Sequence, residues 1–160
     1  MNRRQAGVLL HPTSLPNELG KRGVLNHEAW KFVDWMHDAG LSLWQMLPLT
    51  EPHADLSPYQ SVSAFALNPA LLPEDWKQQF NQTTFNIYMA KAPFWLEDYA
   101  LFMAIKEVEQ GKCWVDWPET LKFREPEALA AFALEHSEKI VNLCQQQFML
   151  SMIWKKLKKY

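Results

Sequence analysis

Apolar positions fall first into two short, mainly apolar runs and then into long stripes at helical spacing. The first run, Ala6-Gly7-Val8-Leu9-Leu10, stops at His11-Pro12. The second, Leu41-Ser42-Leu43-Trp44-Gln45-Met46-Leu47-Pro48-Leu49, also ends at a proline. Runs without alternation predict strands buried on both faces, the habit of a parallel sheet. Between them Ala29, Trp30, Val33, Met36 and Ala39 recur at i, i+3, i+4 and i+7. Asn26 stands where an N-cap belongs and Gly40 where a C′ residue belongs, so a helix is predicted over 27–39. Strand, turn-rich stretch (Pro12 to Gly23), helix and strand make a βαβ unit with parallel pairing and a right-handed crossover.

The second half reads differently. Most of the ten prolines lie before residue 75, so the first half is loop-rich and the second is free to hold long helices. Leu96, Tyr99, Ala100, Met103, Ala104 and Val108 give a helical stripe over 94–110, which Trp114-Val115-Asp116-Trp117-Pro118 interrupts. Pro126 suits the first turn of a final helix. Its stripe runs through Leu129, Phe132, Ile140, Leu143, Leu150, Trp154 and Leu157, with an irregularity near His136-Ser137. No third strand emerges, and two parallel strands do not complete a sheet. Either a strand hides in the second half or covering surface is missing. The helix is still running at Lys158-Lys159-Tyr160, so the chain reads as cut.

Composition narrows the class. The 160 residues are 48% hydrophobic and 21% charged, with a net charge of −2, which fits a packed soluble protein. The balance argues against nucleic acid as a partner, because phosphate binding needs a basic surface. No apolar run reaches the roughly 18 residues of a membrane span, and Met1-Asn2-Arg3-Arg4-Gln5 leads into too short an apolar stretch for a signal peptide. Cys113 and Cys144 read as buried, reduced thiols rather than a disulfide, and the expected setting is cytoplasmic. Eight tryptophans, nine phenylalanines and four tyrosines supply core, or flat apolar faces of the kind that sugar rings stack on.

Candidate chemistry is sparse. A phosphate loop, a paired-cysteine zinc pattern and a nucleophile elbow are all missing from the sequence. His53 and Asp55 have metal-ligand spacing without a third ligand to match. Ser14, His11 and Asp55 make a triad only on paper. Glu51 and Asp55 flank the loop after the second strand, where a barrel enzyme keeps its active site; paired carboxylates suit glycoside chemistry, but a solvated loop accounts for them equally.

A series of phrases says more. Gly7-Val8-Leu9-Leu10-His11-Pro12-Thr13-Ser14-Leu15-Pro16 is followed by Glu28-Ala29-Trp30, Phe32-Val33-Asp34, Ala39-Gly40 and Trp44-Gln45-Met46-Leu47-Pro48-Leu49. Then come Ser57-Pro58-Tyr59-Gln60, Ser63-Ala64-Phe65-Ala66, Asn68-Pro69, Trp114-Val115-Asp116-Trp117-Pro118, Gln146-Gln147-Phe148 and Trp154-Lys155-Lys156-Leu157-Lys158. In this order they resemble the amino-terminal part of the amylomaltases, the 4-alpha-glucanotransferases that disproportionate maltodextrins. The resemblance implies an α/β fold, the first part of a (β/α)8 TIM barrel with a helical insertion after the second strand. Residues 1–73 would start the barrel, 74–135 form the mainly helical insertion, and 136–160 a helix leading towards strand three. Such barrels need about 250 residues, so the barrel would be incomplete in this chain.

The resemblance also implies a retaining, two-step transfer between α-1,4-glucans. An aspartate attacks the anomeric carbon, a glutamate protonates the leaving oxygen and a sugar hydroxyl replaces water. The three catalytic carboxylates of the family match no acid here, so the chain is expected to be silent alone, with no cofactor and no metal. Tyr59 and Ser57 are the expected maltodextrin contacts, with His11 and Ser14 as further residues lining the cleft. Trp44 and Gln45 are expected to be structural, and Asn68 to order its loop. The chain departs from the family at Leu67, where a glycine is usual, at Val24 in place of an acid, and at Thr50-Glu51-Pro52. Two other readings remain: a non-catalytic glucan-binding module, and an interaction module whose basic end (Lys155, Lys156, Lys158, Lys159) docks on a partner or an anionic surface. A core helix with dipole-matched lysines explains that end as well. Self-association through open strand edges is expected.

Overall fold

The computed structural model describes residues 4–17, 20–53 and 55–160. The signal-peptide reading of Met1-Asn2-Arg3 lies outside the described residues, as do Glu18 and Leu19 in the turn-rich stretch and Ala54 in the loop after the second strand. The chain forms two compact units: Met1–Asn81 with Met149–Tyr160, and Gln82–Phe148.

The first unit is built on the βαβ pattern. Strand β1 (Gly7–Leu9) pairs in parallel with β2 (Leu43–Gln45), in the register Gly7 to Leu43, Val8 to Trp44 and Leu9 to Gln45. Both are shorter than the apolar runs that predict them, because Pro12 and Pro48 close the runs and a two-stranded ladder has few bonds to extend. Helix α1 (His27–Asp38) starts where Asn26 Oδ1 accepts from the Glu28 amide at 3.0 Å. It ends before Gly40, whose φ of 71° is the left-handed C′ conformation. Ala29 and Met36 face the core, joined by Leu15, Leu25, Leu49, Leu71 and, from the final helix, Leu150 and Ile153.

The prediction of strands buried on both faces is corrected. Leu9 is 57% exposed and Leu43 49%, because they share one face of the pair while the opposite face, at Trp44, packs on Phe32 of α1. Trp44 is structural, as expected: its indole N–H donates to the Leu10 carbonyl at 2.8 Å, and Phe32 of α1 meets its ring edge-on at 4.7 Å, a contact of about 1 kcal/mol.

The second unit is helical. It holds α2 (Gln82–Met89), α3 (Leu96–Val108), the short α4 (Glu119–Lys122), α5 (Pro126–Glu135) and the first part of α6 (Ser137–Leu157). Ala104, Ile105, Trp117 and Phe132 form its core, with Phe102, Leu121, Leu129, Ile140 and Leu143 packed around them. Helix α3 and the Pro126 start follow the predicted stripes. The irregularity near His136 is a full break between α5 and α6, where the His136 ring lies 4.3 Å from that of Phe132. Helix α2 has no counterpart in the predicted elements. Both cysteines are free; Cys144 is buried as expected, but the expected burial of Cys113 is corrected, since it caps the exposed turn at Trp114–Asp116. No helix among the described residues is long and apolar enough to cross a membrane.

Candidate functional site

Parallel pairing sends the segments that follow β1 and β2 out from the same, carboxyl, end of the sheet. The post-β1 segment is a 3-10 turn, Pro12–Ser14, capped by His11. The His11 Nδ1 lies 2.7 Å from Thr13 Oγ1 and accepts from the Thr13 amide at 3.3 Å, while the ring also bonds the backbone of Pro48 at the end of β2. Proline has no N–H, so the carbonyl accepts. His11 therefore clamps one strand end to the other as a neutral ring, and burial holds its pKa below the usual histidine value despite the Pro48 bond. The turn is locked from its far side by Gly23, whose amide donates to the Thr13 carbonyl at 3.0 Å.

The post-β2 segment is an irregular hairpin. Two antiparallel bridges, Thr50 with Leu67 and Pro52 with Ser61, hold its stems, with Val62 N–H donating to the Glu51 carbonyl at 3.0 Å. Its tip is a turn in which the Gln60 amide donates to the Ser57 carbonyl at 3.1 Å. Pro58 takes the position that favours proline and Tyr59 follows it. Asp55 Oδ1 accepts from the Ser57 amide at 3.2 Å. At the base, Asn68 Oδ1 accepts from Ala70 N–H at 3.0 Å and Ser63 Oγ from Ala66 N–H at 3.1 Å. The tip is thus bonded from below and presents Tyr59, 74% exposed, as a ring with a hydroxyl.

The sequence candidates sort themselves on this frame. Ser57 and Tyr59 share the hairpin tip; His11 and Ser14 share the turn after the other strand, Ser14 exposed and His11 engaged at the strand ends. Gln45 lies in β2, its carbonyl accepting from Leu10 N–H at 3.0 Å. Asp55 is bonded into the turn, and the described residues hold no group of three metal-binding side chains. Leu67 has no left-handed backbone, and its bridge to Thr50 shows how this loop accommodates a leucine. Two features escaped the sequence. Leu56 has φ of 59° directly before Ser57, a conformation costly for a side chain of this kind. A cavity of about 760 Å³ opens in the first unit beside the start of α1.

A parallel βαβ unit with polar and aromatic side chains on both post-strand segments is the equipment of an α/β enzyme at its strand carboxyl ends. A family model described as 4-alpha-glucanotransferase matches residues 10–79 and 73–160. The chain belongs to the 4-alpha-glucanotransferase family (glycosyl hydrolase family 77). A 4-alpha-glucanotransferase of Aquifex aeolicus is 36% identical over 196 aligned positions, 98% of this chain and 40% of that protein. One of Synechocystis sp. is 34% identical over 206, covering 100% and 41%. Among solved structures, the amylomaltase from Streptococcus agalactiae in complex with acarbose superposes with a TM-score of 0.83 at 29% identity, over 99% of this chain and 41% of that one. The chain thus spans about 40% of the length of the relatives it matches. The alignments run longer than its 160 residues, so the relatives carry additional residues inside the matched region. The two pieces of the family match overlap at 73–79.

Proposed function

We propose that this chain is the glucan-holding opening of a 4-alpha-glucanotransferase, contributing the first two strands of a (β/α)8 barrel, residues 1–73, a helical insertion, residues 74–135, and a helix leading on, residues 136–160. Membership of the family supports this, and so do the apolar faces of Leu9 and Leu43, which a closed barrel would cover. The substrate is a maltodextrin, met in the cytoplasm. The observation that carries the reading is the braced, outward Tyr59 at the end where barrel enzymes keep their chemistry.

The tyrosine stacks on one glucose face while Ser57 donates a hydroxyl beside it. His11 acts chiefly through the strand ends, keeping the post-β1 turn and Ser14 at the cleft wall. Transfer in this family proceeds by double displacement, and the attacking and protonating acids are not among these residues. Asp55 is bonded to its own turn, and Glu51 sits at a bridged stem. The chain alone binds glucan and leaves its bonds intact. Affinity electrophoresis through an amylose-containing gel tests this reading: the wild-type chain is retarded, and Tyr59→Ala removes most of the retardation, since one aromatic face is worth ~1.5–3 kcal/mol. Equal retardation of both would overturn it.

A further inference from the structure

We infer that the cavity beside α1 is a second α-glucan site, one that takes a short stretch of neutral sugar chain; this rests on the glucan reading proposed above and deepens it. The cavity, about 760 Å³, is lined by Asn26, Trp30, Asp75, Gln79, Lys156 and Tyr160 among others, all within the first unit, and shares no residue with the Ser57–Gln60 turn. Its size is in the range of small-ligand sites, roughly 300–1,000 Å³.

Its chemistry selects the ligand class. Two aromatic rings, Trp30 and Tyr160, stand among amide and carboxylate side chains, the combination that meets the apolar faces and equatorial hydroxyls of a sugar. Both rings are held in advance. Lys156 Nζ sits 5.8 Å from the Trp30 ring centroid, and the Tyr160 hydroxyl donates to Asp34 Oδ1 at 2.7 Å. Ordering cost on binding is correspondingly small. The charges are mixed: Glu74 is paired with Lys21 at 2.7 Å, and Asp75 accepts from Gln79 Nε2 at 3.0 Å, against the ammonium of Lys156. A phosphate-rich ligand finds no basic pocket here, whereas an uncharged polyhydroxylated one finds donors and acceptors.

Residues 73–75 and 79 form one wall, in the stretch where the two pieces of the family match overlap.

The test uses the full chain labelled with 3-fluorotyrosine, whose four tyrosines are Tyr59, Tyr88, Tyr99 and Tyr160. On titration with maltoheptaose, followed by fluorine NMR, the Tyr160 resonance (assigned with Tyr160→Phe) shifts saturably. The shift persists in Tyr59→Ala. It weakens at least threefold in apparent affinity in Trp30→Leu and in Gln79→Ala, the second variant touching only an exposed side chain. A Tyr160 resonance that stays still while that of Tyr59 moves overturns the cavity site and leaves the hairpin reading standing. Movement of Tyr160 without Tyr59 upholds the cavity site and removes the hairpin. If neither moves, the cavity site is overturned.

Discussion

Gly23→Ala isolates the locking of the post-β1 turn. Gly23 is buried with an ordinary φ, so the difficulty is space. A Cβ there would lie 2.3 Å from the Pro12 carbonyl oxygen, 2.7 Å from that of Leu15 and 3.0 Å from Leu15 Cβ. Two of the three neighbours are backbone and cannot rotate aside, and Pro12 and Leu15 are themselves buried. Restoring ordinary contact moves the strands of chain apart by about 1 Å. This breaks or strains the bond from the Gly23 amide to the Thr13 carbonyl, worth ~1–3 kcal/mol when the amide is left buried and unpaired. Overpacking around Leu15 adds ~1–3 kcal/mol, and the stiffer unfolded chain returns ~0.4–1 kcal/mol. The net cost is about 2–4 kcal/mol, a large part of the stability of a domain this size, ~5–15 kcal/mol. Gly40→Ala is the control. Its φ is 71° with open space around the missing Cβ, so only backbone strain applies, about 1 kcal/mol. In urea melts read by tryptophan fluorescence, with a slope of ~2 kcal/mol per molar, Gly23→Ala lowers the midpoint by ~1–2 M and Gly40→Ala by ~0.5 M. A Gly23→Ala loss equal to or smaller than that of Gly40→Ala refutes the reasoning.

Three further outcomes follow from the site and the core. The His11 pKa lies below its unfolded value of about 6.5, so between the two values the unfolded chain binds more protons. Stability is therefore full above pH ~6.5 and declines as pH falls through the folded value; urea midpoints of wild type at pH 8 and 5 should differ by more than those of His11→Asn. Leu56→Asn keeps the backbone and relieves a left-handed leucine, so the melting temperature rises by about 3 °C, and a fall would deny the strain. The Cys144 thiol is pushed up to about 11 by burial, with Glu97 adding to the shift, while Cys113 is exposed; a thiol reagent at pH 8 titrates one group quickly, and two fast groups would show that the second unit's core is open.

Legibility in the sequence followed the range of the forces involved. Asn26 and Gly40 announced α1 because a cap and a left-handed C′ are chosen by neighbouring backbone alone. The parallel pair was legible from two apolar runs separated by one helix. Their burial was misread, because exposure of Leu9 and Leu43 depends on what surrounds the sheet, a property the local pattern does not carry. Helix α2 was missed for a similar reason: Gln82–Met89 carries Thr83, Thr84 and Ile87, β-branched residues that weaken a helical stripe, and Phe85 supplies its one buried anchor. Tyr59 was singled out through the Ser57-Pro58-Tyr59-Gln60 phrase, yet the bridges at Thr50 and Pro52 that stiffen its stem join positions far apart along the loop. The cavity at Trp30 and Tyr160 assembles residues from both ends of the chain, beyond the reach of any periodicity.

The central claim is that these residues grip a glucan while the acids that break its bonds are elsewhere in the family's sequence pattern. Incubation of the purified chain with maltotriose, with glucose measured over time, tests it most directly. The account predicts glucose no higher than in the protein-free blank, from a sample that is retarded in an amylose gel. Steady release of glucose together with longer maltodextrins would contradict it.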